Sequence, residues 1–127
     1  MVLENNYYLV YSAHYGADTA RFHVALLPGC DVYRGHFPGK PVAPGVCNIG
    51  MVKECLKSAL RTRVSLSSIR KCRFLAVLSP EGRPELDIDL RFYPAGEGEL
   101  RVVSTISDPD TVYMECDAVY KLHRYSE

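Results

Sequence analysis

The 127-residue sequence has no tryptophan and no net charge, with 15 lysines and arginines against 15 aspartates and glutamates. Without a basic surplus it does not read as a general nucleic-acid binder, since phosphate contacts draw on Lys and Arg. No apolar run approaches the roughly 20 residues of a membrane-spanning helix. Met1-Val2-Leu3-Glu4-Asn5-Asn6 lacks the basic start and apolar core of a signal peptide. Cys30, Cys47, Cys55, Cys72 and Cys116 contain no CxxC pair and are odd in number. Reduced thiols and a cytoplasmic location are therefore expected. His14, His23, His36 and His123 form no ligand cluster with the cysteines, so neither a metal nor a redox cofactor is expected. Repeats, low-complexity tracts and linkers are also missing, which predicts one domain over residues 1–127.

What is present is a sequence of short strands around one helix. Tyr7 to His14 mixes aromatic and β-branched residues and reads as a strand. The turn Tyr15-Gly16-Ala17-Asp18 joins it to a hairpin partner over Thr19–Leu27, which Pro28-Gly29 ends. Three prolines and three glycines between Asp31 and Gly45 predict an irregular loop that loses little entropy on folding. Val46 to about Arg61 has helical periodicity: Ile49, Val52, Leu56, Ala59 and Leu60 share a face that Met51 and Cys55 extend. After a polar link, Ile69–Leu78, Glu85–Tyr93, Leu100–Ile106 and Thr111–Leu122 read as four more strands. Two strands, a helix and four strands imply an α+β fold, an antiparallel sheet wrapped on a single helix.

One segment carries chemical information. Gly35-His36-Phe37-Pro38-Gly39-Lys40-Pro41-Val42-Ala43-Pro44-Gly45-Val46 matches G-H-F-P-G-x-P-x-x-P-G-V at all nine specified positions. It closely resembles the signature of the hot-dog β-hydroxyacyl-acyl-carrier-protein dehydratases, the 3-hydroxymyristoyl- and 3-hydroxydecanoyl-type enzymes, and lies just ahead of the helix as theirs does. A weaker likeness, Arg73-Phe74-Leu75-Ala76-Val77-Leu78-Ser79-Pro80, resembles the family's K-F-x-x-P-V-x-P-G, with Val77 for its internal proline and Glu81 for its glycine.

The chemistry can be read from the residues as well. Eliminating water from a 3-hydroxyacyl thioester removes an α-proton and protonates the departing hydroxyl. Histidine can be the base. Amides at a helix start can hold the thioester oxygen as it gains charge, and glycine lets a substrate approach the backbone closely. The resemblance thus implies His36 as base, an amide near Gly45 or Val46 on the carbonyl, and Phe37 and Gly50 beside the substrate. Tyr33, just before the motif, is a candidate for the tunnel mouth. It also implies a homodimer or higher assembly, with His from one chain and a helix carboxylate from the other, acting on thioesters of acyl carrier protein or coenzyme A.

The helix carboxylate is missing. In the family it follows the motif histidine by fourteen residues, and here that position is Gly50. Two substitutes are open. Glu54 lies one helical turn on, able to bend back over Gly50 or to pair with Lys53 or Lys57. Asn48 sits in an apolar arc and must find a partner, either a substrate oxygen or a core hydrogen bond. Gly50 itself reads as close packing or as room for an acyl chain, because a mid-helix glycine costs about 1 kcal/mol relative to alanine. Cys47, at the helix start, is expected to have a lowered thiol pKa. Arg61, Arg63, Arg70, Lys71 and Arg73 form a basic run that would steer an acidic carrier protein or simply solvate a surface. The leading expectation is a (3R)-hydroxyacyl-acyl-carrier-protein dehydratase of fatty-acid or related lipid and polyketide synthesis. The alternatives are a hot-dog thioesterase and a non-catalytic binder of acyl thioesters or carrier protein.

Overall fold

A computed structural model describes residues 2–37 and 39–123. Its elements are β1 (Tyr8–Tyr15), β2 (Thr19–Leu26), a 3-10 helix (Asp31–Arg34), α1 (Gly45–Leu60), β3 (Arg63–Phe74), β4 (Glu85–Pro94), β5 (Glu99–Ser107) and β6 (Val112–His123). The six strands form one antiparallel sheet in the order β1-β2-β4-β5-β6-β3. This is the α+β hot-dog architecture, and α1 supplies the apolar stripe that the sheet covers.

Alternation along the strands builds the core. Phe22 on β2 faces Ile88 on β4, Ile88 faces Ile106 on β5, and Ile106 faces Met114 on β6. All four are buried, and the row ends on the edge strand at Phe74, opposite Met114. Successive residues on a strand point to opposite faces, so the residues between them carry the polar outer surface. There Arg21 makes two hydrogen bonds to Asp89, at 2.6 and 3.2 Å. Against this sheet α1 buries Cys47, Asn48, Met51, Val52, Cys55 and Leu56. The apolar arc is therefore centred nearer Met51 and Cys55 than the wheel predicts, with Ile49, Ala59 and Leu60 at its margins.

One strand departs from expectation. The link before Ile69 is too polar to read as a strand, yet β3 begins at Arg63 and ends at Phe74, short of Leu78. β3 lies at the sheet edge and pairs only with β6, from Arg63 opposite His123 to Phe74 opposite Met114. An edge strand with one open face tolerates serines and charges, so pairing overrides the weak local signal.

Candidate active site

The Gly35–Val46 segment closes on itself around His36; Pro38 lies outside the described residues. The Val42 amide donates to the His36 carbonyl at 3.1 Å, and His36 Nδ1 lies 3.2 Å from the Val42 carbonyl. A carbonyl can only accept, so Nδ1 carries the proton and Nε2 of the neutral ring keeps its lone pair. Gly39, at φ 78°, takes the left-handed conformation within the loop. Phe37 is exposed and its ring stacks on the imidazole, with centroids 4.4 Å apart. Ala43 N–H donates to Leu78 O at 2.7 Å and ties the end of the loop to the chain beyond β3.

The loop feeds directly into α1. Pro44 is its N-cap, no side chain caps the helix, and the amides of Cys47 and Asn48 both donate to the Pro44 carbonyl. The amides of Gly45 and Val46 have no intrahelical acceptor, and Val46 is 76% exposed. They are free donors at the helix start. At Gly45 the close approach is made by Phe74: a Cβ there would lie 2.6 Å from the ring edge, so a larger residue would require the exposed Phe74 ring to move. No local sequence signal places the end of β3 over the helix start.

At the family's carboxylate position, a Cβ on Gly50 would lie 2.8 Å from Leu3 Cδ1. The N-terminal segment folds back here through a turn in which Asn5 has φ 68° and the Leu3 carbonyl accepts from the Asn6 and Tyr7 amides. The glycine is accounted for by this packing, although its partner is the N-terminal segment, which gives no such signal in sequence.

Glu54 is held by the same segment. Its carboxylate accepts from the Leu3 amide (2.8 Å), the Glu4 amide (2.8 Å) and the Tyr8 hydroxyl (3.0 Å). The bend toward the Gly50 position considered above is therefore replaced by a structural role, because three donors already occupy the carboxylate oxygens. Hydrogen bonds to a charged group contribute about 1.5–3 kcal/mol, so Glu54→Ala should destabilise the fold by about that amount in urea titration. Glu54→Gln, which keeps two acceptor positions at most on one oxygen, should fall between the two. Unchanged stability in Glu54→Ala would count against the latch.

Asn48 and Tyr33 are both buried. The Tyr7 hydroxyl donates to Asn48 Oδ1 at 2.6 Å, which gives the amide a core partner. Tyr33 packs inside the fold, away from a mouth, its ring stacked on Tyr7 with centroids 6.1 Å apart. Cys47 departs from expectation too: burial raises its thiol pKa, with Cys30 nearby adding to the effect, so desolvation outweighs the helix start. Cys30, Cys55 and Cys116 are buried as well, and Cys72 is partly buried. Beside Gly50 runs a groove of about 440 Å³ lined by Leu3, Gly50, Glu54 and Val64, with Lys53, Lys57, Arg63 and His123 at its polar positions. Among the described residues no group of three His, Cys, Asp or Glu side chains could hold a metal ion, and no helix is long and apolar enough to cross a membrane.

A six-stranded antiparallel sheet on one helix, with a histidine loop delivering free amides at the helix start, defines a hot-dog protein of the dehydratase type. The chain belongs to the ApeI-like family, whose model, described as ApeI dehydratase, matches residues 12–102. It is 34% identical over 67 residues to a 3-hydroxyacyl-[acyl-carrier-protein] dehydratase FabZ of Bacillus velezensis, a match covering 47% of this chain and 48% of the relative. That match thus spans about half the length of the curated relative. The structure resembles the dehydratase heterocomplex ApeI:P from Xenorhabdus doucetiae, with TM-score 0.70, 26% identity and coverage of 91% of this chain and 97% of that one. A thioesterase from Haemophilus influenzae shares the fold at TM-score 0.68 but is 10% identical, covering 98% of this chain and 84% of that one.

Proposed function

We propose that this chain is the histidine-bearing subunit of a (3R)-hydroxyacyl thioester dehydratase acting on carrier-protein- or coenzyme-A-bound chains in fatty-acid or related lipid and polyketide synthesis. The observation that carries the reading is the His36 Nδ1 to Val42 O hydrogen bond, which leaves Nε2 as a base on the loop leading to the free amides of α1. Nε2 takes the C2 proton, the C2–H electrons form the C2=C3 double bond, and the C3–O bond breaks. The proton now on the imidazolium passes to the departing oxygen, which leaves as water. One histidine can serve both transfers in turn, because the proton removed balances the proton returned. The Gly45 and Val46 amides hold the thioester oxygen while C2 loses its proton.

Assembly through β3 fits this reading. β3 is a twelve-residue sheet edge, and Leu66, Ile69 and Phe74 on it, with Leu75 and Val77 beyond, are exposed. An apolar, unpaired edge of this kind is a pairing surface. A second copy, the homodimer implied by the resemblance, would bring Gly50 rather than an acid toward His36. A carboxylate-bearing relative on the same edge would supply one, and the similar ApeI:P assembly is a heterocomplex by its own description. Lys53, Lys57 and Arg63 along the groove have no ion-pair partner among the described residues. They suit an acidic carrier protein or the phosphate of a pantetheine arm. The free thiols fit a reducing, cytoplasmic setting.

The test is the dehydration run in reverse. Purified protein is incubated with a trans-2-enoyl thioester on carrier protein and the acyl species are followed by mass spectrometry. Gain of one water, reversible on adding product, is the expected result. No gain at high protein concentration, alone or with a carboxylate-bearing relative, would sink the reading, and release of free acid would replace it with thioester hydrolysis.

A further inference from the structure

β3 and β6 set two cysteines directly opposite one another. Cys72 on β3 is the antiparallel partner of Cys116 on β6, and the next pair on the same face is Phe74 with Met114. Met114, Cys116, Ala118 and Tyr120 are all buried, so Cys116 and its partner point to the inner face of the sheet. Directly opposite residues of an antiparallel pair have Cα atoms about 4.5–5.5 Å apart, within the roughly 4.4–6.8 Å that a disulfide spans. Both thiols are free, and they are near enough to hydrogen-bond to each other.

The two sulfurs have unlike surroundings. Cys116 is 3% exposed, and burial, with Cys72 adding to it, pushes its thiol up to about 12. Cys72 is only partly buried, and it sits on the strand at the end of the sheet. A dissolved oxidant therefore meets Cys72 first, with Cys116 already beside it. The other three cysteines differ in both respects. Cys30, Cys47 and Cys55 are buried and lie outside the strands, so no strand pairing sets any two of them opposite. Cys47 and Cys55 are also two turns apart on α1, about 12 Å along its axis, which is too far to bridge.

We propose that Cys72 and Cys116 are an oxidation site, a dithiol that a peroxide converts to a disulfide between β3 and β6. The Cys72 sulfur attacks one oxygen of hydrogen peroxide and becomes a sulfenic acid. The O–O bond breaks, and the released hydroxide leaves as water with the thiol proton. The Cys116 sulfur then attacks the sulfenic sulfur, the S–O bond breaks, and the hydroxyl leaves with the Cys116 proton as a second water. Two thiols lose two electrons and two protons, and one peroxide is reduced to two waters. Because Cys116 is held opposite Cys72, the second step is intramolecular, which offsets the weak thiolate character of a buried thiol. The bond ties down the end of β3 two residues from Phe74, whose ring lies against Gly45.

The test titrates the purified full-length chain with hydrogen peroxide, glutathione being present as an internal standard, and reads intact mass, free thiols and peptides mapped without reductant. The expected result is a loss of about 2 Da, with two of the five cysteines closed to alkylation and one cross-linked peptide joining Cys72 to Cys116. Dithiothreitol should reverse all three. The bridged protein should unfold at a Tm higher by roughly 6–15 °C, as expected for a bond closing a loop of about 45 residues. Cys116→Ser should stop at a sulfenic acid on Cys72, captured by a 1,3-dione probe. Bridging of another pair, such as Cys30 with Cys47, would overturn the proposal, as would passage of Cys72 to sulfinic acid with Cys116 still reduced. A pair left reduced while the glutathione is consumed would overturn it too, and so would a lowered Tm, by showing that the fold cannot hold the bond. The wild-type mapping decides the matter whether or not the serine variant folds.

Discussion

Replacing His36 by alanine is expected to lower enoyl-thioester hydration by about 10²–10⁴-fold or more while leaving the fold intact. The size follows from the site. Among the described residues, the only base on the loop beside the free helix amides is His36, and the two carbonyl-chain bonds between residues 36 and 42 hold its ring with Nε2 unencumbered. The imidazole is half-buried, bonded to the Val42 carbonyl and stacked on Phe37, so its removal leaves no charged partner stranded. Near-wild-type thermal unfolding with lost hydration is the expected pair of results. A loss smaller than about tenfold would mean that the proton is removed elsewhere.

The second large effect is a gain. Gly50→Glu, in a protein whose Leu3 is also changed to alanine, is expected to raise dehydratase turnover of the homomeric protein by about 10²–10⁴-fold, the range that a positioned acid contributes. Both substitutions are needed because a side chain at residue 50 runs into Leu3 Cδ1. That contact is with the end of a flexible side chain, so Gly50→Glu alone should fold, helped by about 1 kcal/mol of helix propensity. Its new carboxylate should nevertheless be displaced by Leu3, and its gain in rate should be the smaller. Trimming Leu3 removes the obstacle while Glu54 still holds the segment by its backbone amides. If the folded double variant turns over no faster than wild type, a missing acid is not what limits this chain, and His36 performs the elimination without one. Rates measured as a function of protein concentration would show whether the gain needs two chains in one assembly.

How far each residue could be read from sequence depends on how far away its partners lie. His36 and the Gly45–Val46 amides belong to one contiguous stretch whose prolines and glycines set its shape, so the loop and the helix start were readable together. Glu54 was ambiguous because its binding partners, the amides of Leu3 and Glu4, are some fifty residues away in the chain. At Gly50 close packing and room for an acyl chain both stand open in the sequence, and an N-terminal leucine carries no periodicity that would decide between them. Cys47 shows two effects of opposite sign: the helix start is visible in sequence, but the burial that dominates it comes only with the Tyr7, Tyr33 and Cys30 surroundings. The first half of β3 was missed because Ser65, Ser67 and Ser68 give it little strand character of their own.

The sequence by itself determined the element order, the antiparallel sheet on one helix, the motif loop that carries His36, and a glycine at residue 50 where the resemblance implies a carboxylate. These follow from local periodicity, turn residues and a motif with fixed internal spacing. Tertiary structure decided the rest: that Leu3 packs on Gly50, that Phe74 lies over Gly45, that Glu54 anchors the N-terminal segment, and that Tyr33 is buried against Tyr7. Each of these is a contact between segments brought together only when the sheet closes on the helix. Burial and hydrogen bonding at such contacts depend on what arrives from elsewhere in the chain, and no local pattern records that.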